Sequence, residues 1–501
     1  MGVIAKQSFK GTVVNYLGVG IGFLTTFFVL TRFLSPEEIG LSRVLVDAAT
    51  LFVSLAGLGT TSSILRFHPY FADGKSHDHG FFFLTTIIPF VGFLLFSGIY
   101  CAFHSPIQHF FAEKSPLFVN YYYFVLPIAF FLLYQTTFET HANVLMRIVF
   151  PKFVREVLTR LLLLAAYLLY AFRLLSLDGF VVSLCAVYAV AALCNFVYLL
   201  CLGKISFRPD FSFLNRSLVL QWLSYSSFLL LSACVTMFGP TISGFFVTAQ
   251  LGLDQTGIYA IATSIAILVS IPYRSMGSVM QPELAKASKE KDTGKLNTLV
   301  RQSASVLMWV SLVILALIWI NVDVIFALLP NGNIYASARY VILLLGIGNL
   351  LQASFSLVTT VLSFSRVYYY SLFFSVLLAV ATVCLNNWLI PVAGINGAAV
   401  ATCAAYCIYF VVLLSVVWIK LKVSPLSRSL WKIVAMAVVM ALADILLSRW
   451  MENLNLYGSA VLRTVLIVGG VCLVSYFARI IPELNLFVDK WLSRITHKSE
   501  D

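Results

Sequence analysis

Long apolar stretches follow one another along almost the whole chain, and short polar segments separate them. Each stretch has about the 20 residues that an α-helix needs to cross the hydrocarbon core of a bilayer. The pattern predicts an all-α integral membrane protein with about fourteen transmembrane helices. The predicted spans are residues 11–34, 43–66, 81–103, 119–145, 153–173, 178–202, 219–248, 257–281, 303–329, 338–363, 367–390, 394–419, 428–449 and 458–480.

The composition agrees with a lipid environment. The chain has 501 residues, of which 60% are hydrophobic and only 11% are charged, and its mean hydropathy is +0.94. A soluble protein is usually about a quarter charged. Fourteen spans leave only short loops, so we expect no separate soluble domain. The first apolar run, Val13 to Leu34, is too long for the core of a signal peptide and is predicted to be the first span.

The positive charges predict the orientation. If the loops are assigned alternately to the two sides, 26 of the 33 Lys and Arg residues lie on the side of the N-terminus and 7 lie on the other. Cytoplasmic loops carry such an excess, so we expect both termini to be cytoplasmic. This placement accounts for the net charge of +12, and no nucleic-acid partner is predicted.

A short segment occurs twice, 217 residues apart. The first copy holds Thr31, Leu34, Glu37, Gly40 and Leu41, and the second holds Thr248, Leu251, Asp254, Gly257 and Ile258. Six spans separate the copies, which predicts two similarly oriented six-helix lobes related by a pseudo-twofold axis along the membrane normal. Chance similarity is the alternative. The predicted domains are 1–210, 211–422 and 423–501, the last with two extra helices and an amphipathic interfacial helix near 484–495.

Motifs of known enzymes are missing from the sequence. There is no G-x-S-x-G, no P-loop and no H-E-x-x-H, so neither an enzyme activity nor a cofactor is predicted. The nine cysteines fall in apolar runs without a C-x-x-C pair, which indicates neither disulfides nor a metal site. Gly18, Gly20 and Gly22 lie inside a span and are interpreted as close-packing or bending points.

Ionisable residues within spans are costly and usually face a partner or an aqueous cavity. Arg43 and Asp47, four residues apart in span two, either form a packing ion pair or line a cavity. Arg274 lies about two turns inside the cytoplasmic end of span eight, where it either extends to the headgroups or faces the cavity. Arg66 and Arg160 lie nearer the inner interface and are expected to extend to the headgroups.

Other polar residues within spans divide into two groups. Glu139 and His141 are interpreted as interface residues rather than a proton-coupled pair, and Asp444 as structural. Uncharged residues, Asn15 and Asn349 among them, either join helices or contact sugars. The predicted substrate-binding residues are Arg43, Asp47, Arg274, Asn15, Asn349 and Gln352.

The stretch LTRFLSPEEIGLSRVLVDAATLFVSLAGLG, residues 30–59, resembles the opening of bacterial polysaccharide and O-antigen flippases. In that family an Arg-x-Leu-x-Pro-Glu-x-x-Gly-like loop joins spans one and two. Here it is matched by Arg32, Leu34, Pro36, Glu37 and Gly40. The resemblance implies two six-helix lobes around a central cavity. It also implies translocation of an undecaprenyl-diphosphate-linked oligosaccharide, such as an O-antigen or capsule repeat unit, from the inner to the outer leaflet by alternating access.

Three functions are considered. The first is this flippase, whose partners would be the lipid-linked oligosaccharide, membrane lipids and a coupling H⁺ or Na⁺. The second is a cation-coupled multidrug exporter of the same superfamily, which should carry more acidic than basic residues in its spans. The third, a membrane-embedded glycosyltransferase or polymerase, requires a large outer loop. Arg43 and Arg274 outnumber Asp47, and the longest loop is predicted to be cytoplasmic, so the flippase is favoured.

Overall fold

The computed structural model describes residues 3–71, 77–203, 205, 207, 216–365, 367, 369–451, 454–481 and 485. Within these ranges the chain is helical and has no β-strand, which confirms the all-α prediction. The chain divides into two compact units, Met1–Ala260 and Ile261–Asp501. The lobe boundaries at 210/211 and 422/423 stay a prediction. The predicted interfacial helix at 484–495 lies outside the described residues, apart from Asn485.

The first unit begins with a bent first span. Its α-helices are α1 (Val3–Leu24), α2 (Thr31–Phe33), α3 (Pro36–Ala56), α4 (Thr60–Phe71), α5 (Phe81–Ala102), α6 (His104–Phe111), α7 (Pro116–Asn120), α8 (Val125–Val144), α9 (Val149–Phe153), α10 (Thr159–Ala171), α11 (Leu177–Cys201) and α12 (Arg216–Leu251). Two π-helical turns join these helices, Thr25–Leu30 between α1 and α2 and Val154–Leu158 between α9 and α10. Short 3₁₀ turns lie at His77–Gly80 and Tyr122–Phe124.

The unit boundary falls inside α13, and the second unit contains the rest of the chain. Its helices are α13 (Leu253–Ala266), α14 (Ile271–Lys289), α15 (Thr293–Ile320), α16 (Val322–Leu328), α17 (Gly332–Tyr335), α18 (Arg339–Phe364), α19 (Tyr370–Leu421), α20 (Arg428–Trp450), α21 (Leu456–Thr464) and α22 (Gly470–Phe477). The 3₁₀ turns Ile267–Ser270 and Ala336–Ala338 precede α14 and α18, and the π-helical turn Val465–Gly469 joins α21 to α22.

Every predicted span overlaps a helix. Because some spans are broken and one long helix covers two of them, the number of membrane-spanning helices differs from the number of predicted spans. In the described part of the chain, 10 helices are long and apolar enough to cross a membrane. Helix α19 has 52 residues, which is about 78 Å at 1.5 Å per residue and enough for two crossings. Gly394 interrupts it with φ 58° and ψ −137°, at the boundary predicted between spans eleven and twelve. The total of fourteen spans stays a prediction.

The loop between spans one and two owes its shape to the sequence Ser35-Pro-Glu-Glu. The Ser35 side chain accepts a hydrogen bond from the Glu38 N–H, and the Glu38 carboxylate accepts one from the Ser35 N–H at 2.7 Å. Pro36 occupies the first turn, where no N–H is needed. This capping box fixes the start of α3 and thereby the position of the polar residues that follow.

Span two, predicted as one helix over 43–66, is two helices. The chain leaves the helical conformation between α3 and α4, where Leu58 has φ 47° and Gly59 has φ 69°. Only glycine adopts this left-handed region without strain, so Leu58 is a strained position. The break divides the span into an N-terminal part, α3, and a shorter C-terminal part, α4.

The two copies of the repeated segment contact each other through their glycines. A Cβ atom added to Gly40 would clash with the carbonyl oxygen of Leu253, and one added to Gly257 would clash with that of Pro36. Leu253 lies 217 residues after Pro36, as Gly257 does after Gly40. The contact is therefore reciprocal, as a twofold relation between two like segments requires. This packing supports the internal repeat.

Candidate functional site

Arg43 and Asp47 form an ion pair on α3, the N-terminal part of span two. Arg43 Nε donates to Asp47 Oδ2 at 2.8 Å, and the Arg43 side chain is 45% exposed. Gly40, Arg43 and Asp47 follow one another at spacings of three and four residues, so they share one face of α3. Because Gly40 contacts α13, the ion pair lies on the face of α3 that turns toward α13.

A tyrosine hydroxyl joins α3 to α10 near this pair. Tyr170 of α10 donates a hydrogen bond to Glu38 of α3, and Tyr167 and Tyr188 lie close enough to Arg43 to interact with its charge. The sequence does not distinguish these tyrosines from core residues, because they lie within apolar spans. Aromatic faces next to carboxylates and hydroxyls can both stack on a sugar ring and bond its hydroxyls.

A second charged cluster lies on α8 and on the π-helical turn before α10. Arg155 Nη1 donates to Glu139 Oε1 at 2.7 Å, and Arg155 Nε to Glu156 Oε1 at 3.1 Å. Arg160 Nη2 donates to Glu156 Oε2 at 3.1 Å, and its Nη1 to the Gly18 carbonyl oxygen at 2.8 Å. These bonds form a continuous chain from α8 to α1.

The sequence expectations for this cluster were partly wrong. Arg160 bonds α1 and Glu156 instead of extending freely to the headgroups. Glu139 is buried and paired with Arg155, and its interpretation as a residue of the membrane interface stays a prediction. The interpretation of Gly18 and Gly22 as close-packing points is confirmed, since a Cβ at either would clash with Glu156 or Arg160. A Cβ at Gly20 would meet nothing within 4 Å, so Gly20 is not a close-packing point.

Asn15 is half-buried on α1, three residues before Gly18. Helix α1 packs against α9, the π-helical turn 154–158 and α10. Asn15 therefore belongs to the helix that the Arg160 bond anchors. Its contact with a sugar stays a prediction.

In the second unit, Arg274 is exposed near the start of α14. No hydrogen bond or ion pair joins its side chain to any residue that the structure describes. Helix α14 packs against α18. Arg274 therefore lies on a helix beside α18.

Polar residues form a stripe along α18. Asn349, Gln352, Ser356 and Thr359 recur at spacings of three, four and three residues, which keeps them on one face. Asn349 and Gln352 are half-buried. Because α14 packs against α18, the structure brings the helix of Arg274 next to the helix that carries Asn349 and Gln352.

Asp444 of α20, another acid within a candidate span, is paired. Arg463 of α21 donates to it through Nε at 3.0 Å and also through Nη2. Both side chains are 11% exposed. This arrangement is that of a structural ion pair joining the last two predicted spans, as the sequence analysis interpreted Asp444.

The described residues offer no obvious metal site. No group of three or more His, Cys, Asp or Glu side chains converges within the ranges given above. Eight cysteines are free thiols, and the side chain of Cys234 lies outside the described part.

The fold is that of known membrane transporters. The structure resembles "Lipid II flippase MurJ, inward closed conformation" with a TM-score of 0.72 and 13% identity, over 94% of this chain and 98% of the other. It resembles a variant of the Vibrio cholerae MATE transporter VcmN with a TM-score of 0.58 and 15% identity, over 83% of this chain and 98% of the other. At such identities the likeness concerns the fold alone.

Sequence comparison extends this result. No curated protein sequence matches the chain. The family model described as "Polysaccharide biosynthesis protein" matches residues 4–288, which is more than half of the chain. The chain belongs to this polysaccharide biosynthesis protein family.

Proposed function

We propose that this protein is a flippase that moves an undecaprenyl-diphosphate-linked oligosaccharide, such as an O-antigen or capsule repeat unit, from the inner to the outer leaflet of the bacterial cell membrane. Both termini lie in the cytoplasm in this proposal. The family supports a role in polysaccharide biosynthesis. The loop motif at Arg32 to Gly40 supports the flippase branch.

The observation that carries the proposal is Arg274. It is a cation near the end of the candidate span Leu253–Arg274, without a described acidic partner, next to a stripe of uncharged hydrogen-bonding residues on α18. A guanidinium binds a diphosphate through charge-assisted, often bidentate hydrogen bonds. Amides such as those of Asn349 and Gln352 suit sugar hydroxyls, which lose their hydrogen bonds in hydrocarbon unless the protein replaces them.

The membrane potential favours the same direction of transport. A diphosphate group with two negative charges gains about 4–5 kcal/mol per 100 mV if it crosses the whole field outward. An arginine that binds the diphosphate on the inner side and releases it toward the outer side would use this gradient.

A cation-coupled multidrug exporter is the alternative, and the likeness to MATE transporters is what favours it. Binding an organic cation calls for a carboxylate that is free to pair with it. Asp47, Glu139 and Asp444 are each paired with an arginine. Arg274 has no described acidic partner, and its positive charge favours an anionic ligand.

The experiment compares three variants in cells that display the polysaccharide. Arg274→Ala should abolish surface polysaccharide at normal protein levels in the membrane, and Arg274→Lys should restore only part of it, because an ammonium lacks the planar fork. Lys289→Ala is the matched control, since Lys289 is an exposed cation in the last turn of the same helix. Full export by Arg274→Ala at normal expression would contradict the proposed role of Arg274.

A further inference from the structure

The C-terminal part of span two is a short helix, α4, which is attached to α3 through a strained turn. Between α3 and α4 the helical ladder is replaced by turn hydrogen bonds, Leu58 N–H to Leu55 O at 3.2 Å and Thr60 N–H to Gly57 O at 2.8 Å. Leu58 and Gly59 both have positive φ. A few residues of this kind can absorb the backbone rotation of a hinge. Helix α4, which has 12 residues, can therefore rotate as a unit about the break inside the span.

Three side chains of α4 hold it against the start of α12. Ser63 Oγ lies 2.8 Å from Ser226 Oγ. The Arg66 guanidinium lies 4.1 Å from the centre of the Tyr225 ring. Phe67 stacks on Trp222 with centroids 5.5 Å apart and an angle of 13° between the rings. We call these three pairs the α4 latch.

The latch closes a buried aromatic cluster. Trp222 also contacts Phe71 and Phe81 edge-on or tilted, and Phe67 and Trp222 are both buried. The three contacts are a hydroxyl pair, a cation–π contact and a ring stack, and each can be exchanged for a similar contact with a ligand. Sugars stack on aromatic rings, and a guanidinium that leaves a ring can bind an anion.

We propose that α4 is a hinged gate at the cytoplasmic end of the first unit, and that on opening Arg66 exchanges the Tyr225 ring for the anionic group of the incoming substrate. The hinge is Leu58–Gly59 and the α4 latch holds the closed state. The identity of the anionic group, a lipid-linked diphosphate, rests on the proposed function, whereas the gate itself does not.

A disulfide tests the gate. The Ser63→Cys/Ser226→Cys variant, built in a chain whose nine native cysteines are replaced by alanine, should cross-link on mild oxidation because the two hydroxyls are adjacent. Oxidation should stop polysaccharide export, and a reductant should restore it. The two single-cysteine variants, treated in the same way, should keep exporting. Absence of the cross-link, or undiminished export by the cross-linked protein, would overturn the proposal.

A labelling experiment tests the latch without any substrate. In the single Ser226→Cys variant, a membrane-impermeant maleimide applied to inside-out vesicles should react about three- to tenfold faster after Phe67→Leu or Arg66→Ala. Leu65→Ala is the matched control, because Leu65 is 57% exposed on the same helix and outside the latch. Equal rates in all four proteins would overturn the gate whatever the substrate is.

Export then separates the two roles of Arg66. Phe67→Leu, which only weakens the latch, should keep at least half of the export activity. Arg66→Ala should lose most of it although its gate opens as easily, and Arg66→Lys should recover part. If Arg66→Ala exports as well as Phe67→Leu, Arg66 belongs to the latch alone and its proposed contact with an anion is wrong.

Discussion

The ion pair between Glu139 and Arg155 offers a test of how the first unit is held together. The Glu139 side chain is only 9% exposed, and its carboxylate lies 2.7 Å from Arg155 Nη1. At an effective dielectric constant of about 20, this separation gives an attraction of about 6 kcal/mol before desolvation. Arg155→Leu removes the counter-ion and leaves a buried carboxylate, a change that destabilises proteins by about 3–5 kcal/mol.

The expected loss is at the low end of that range or below it. Arg155 is 47% exposed, so solvent screens part of its charge. We therefore expect Arg155→Leu to lower the free energy of unfolding by about 2–3 kcal/mol. Glu139→Gln should lower it by only about 1 kcal/mol, because the amide is neutral and Arg155 keeps its bond to Glu156.

The double variant decides between a charge effect and a packing effect. Arg155→Leu combined with Glu139→Gln leaves no unpaired charge, so it should be more stable than Arg155→Leu alone. The measurement is the temperature at which heating in detergent removes half of the monodisperse peak, as determined by fluorescence-detected size-exclusion chromatography. A double variant that is as unstable as Arg155→Leu, or less stable, would refute the reasoning.

Two further predictions concern stability. Gly40→Ala and Gly257→Ala should each destabilise the protein by about 1–3 kcal/mol, measured by heat-induced unfolding, because each added Cβ meets backbone that cannot rotate away. Gly20→Ala is the control and should not destabilise the protein, because its Cβ meets nothing within 4 Å. Asp444→Ala leaves the buried Arg463 without a counter-ion and should destabilise by about 3–5 kcal/mol, while export per folded molecule, determined from surface polysaccharide and membrane protein level, stays unchanged.

The sequence predicts the helices well because apolar length is set by the bilayer. It does not predict where a span breaks. Leu58 is an apolar residue in an apolar run, and nothing in its identity indicates a left-handed backbone. The break at Gly394 was easier to predict, because Gly394 follows Pro391 and lies at a predicted boundary between two spans.

The charged cluster shows a second limit of sequence reasoning. Glu156 and Arg160 are four residues apart, the spacing at which side chains pair on one helix, so periodicity alone predicts their ion pair. The bond from Arg155 to Glu139 is different, because it joins the π-helical turn Val154–Leu158 to α8. Spacing within one helix does not indicate which helices lie side by side, so neither this bond nor the one from Arg160 to the Gly18 carbonyl oxygen could be predicted.

The reciprocal contact of Gly40 and Gly257 has a consequence for how the sequence can evolve. Each glycine faces the backbone of the other's helix, so a first alanine, at either position, must move the two helices apart. That displacement makes part of the room that a second alanine needs, and two such substitutions are therefore less harmful together than their separate effects suggest. Positions 217 residues apart in the chain should consequently change as a pair, and the two copies of the segment cannot diverge independently.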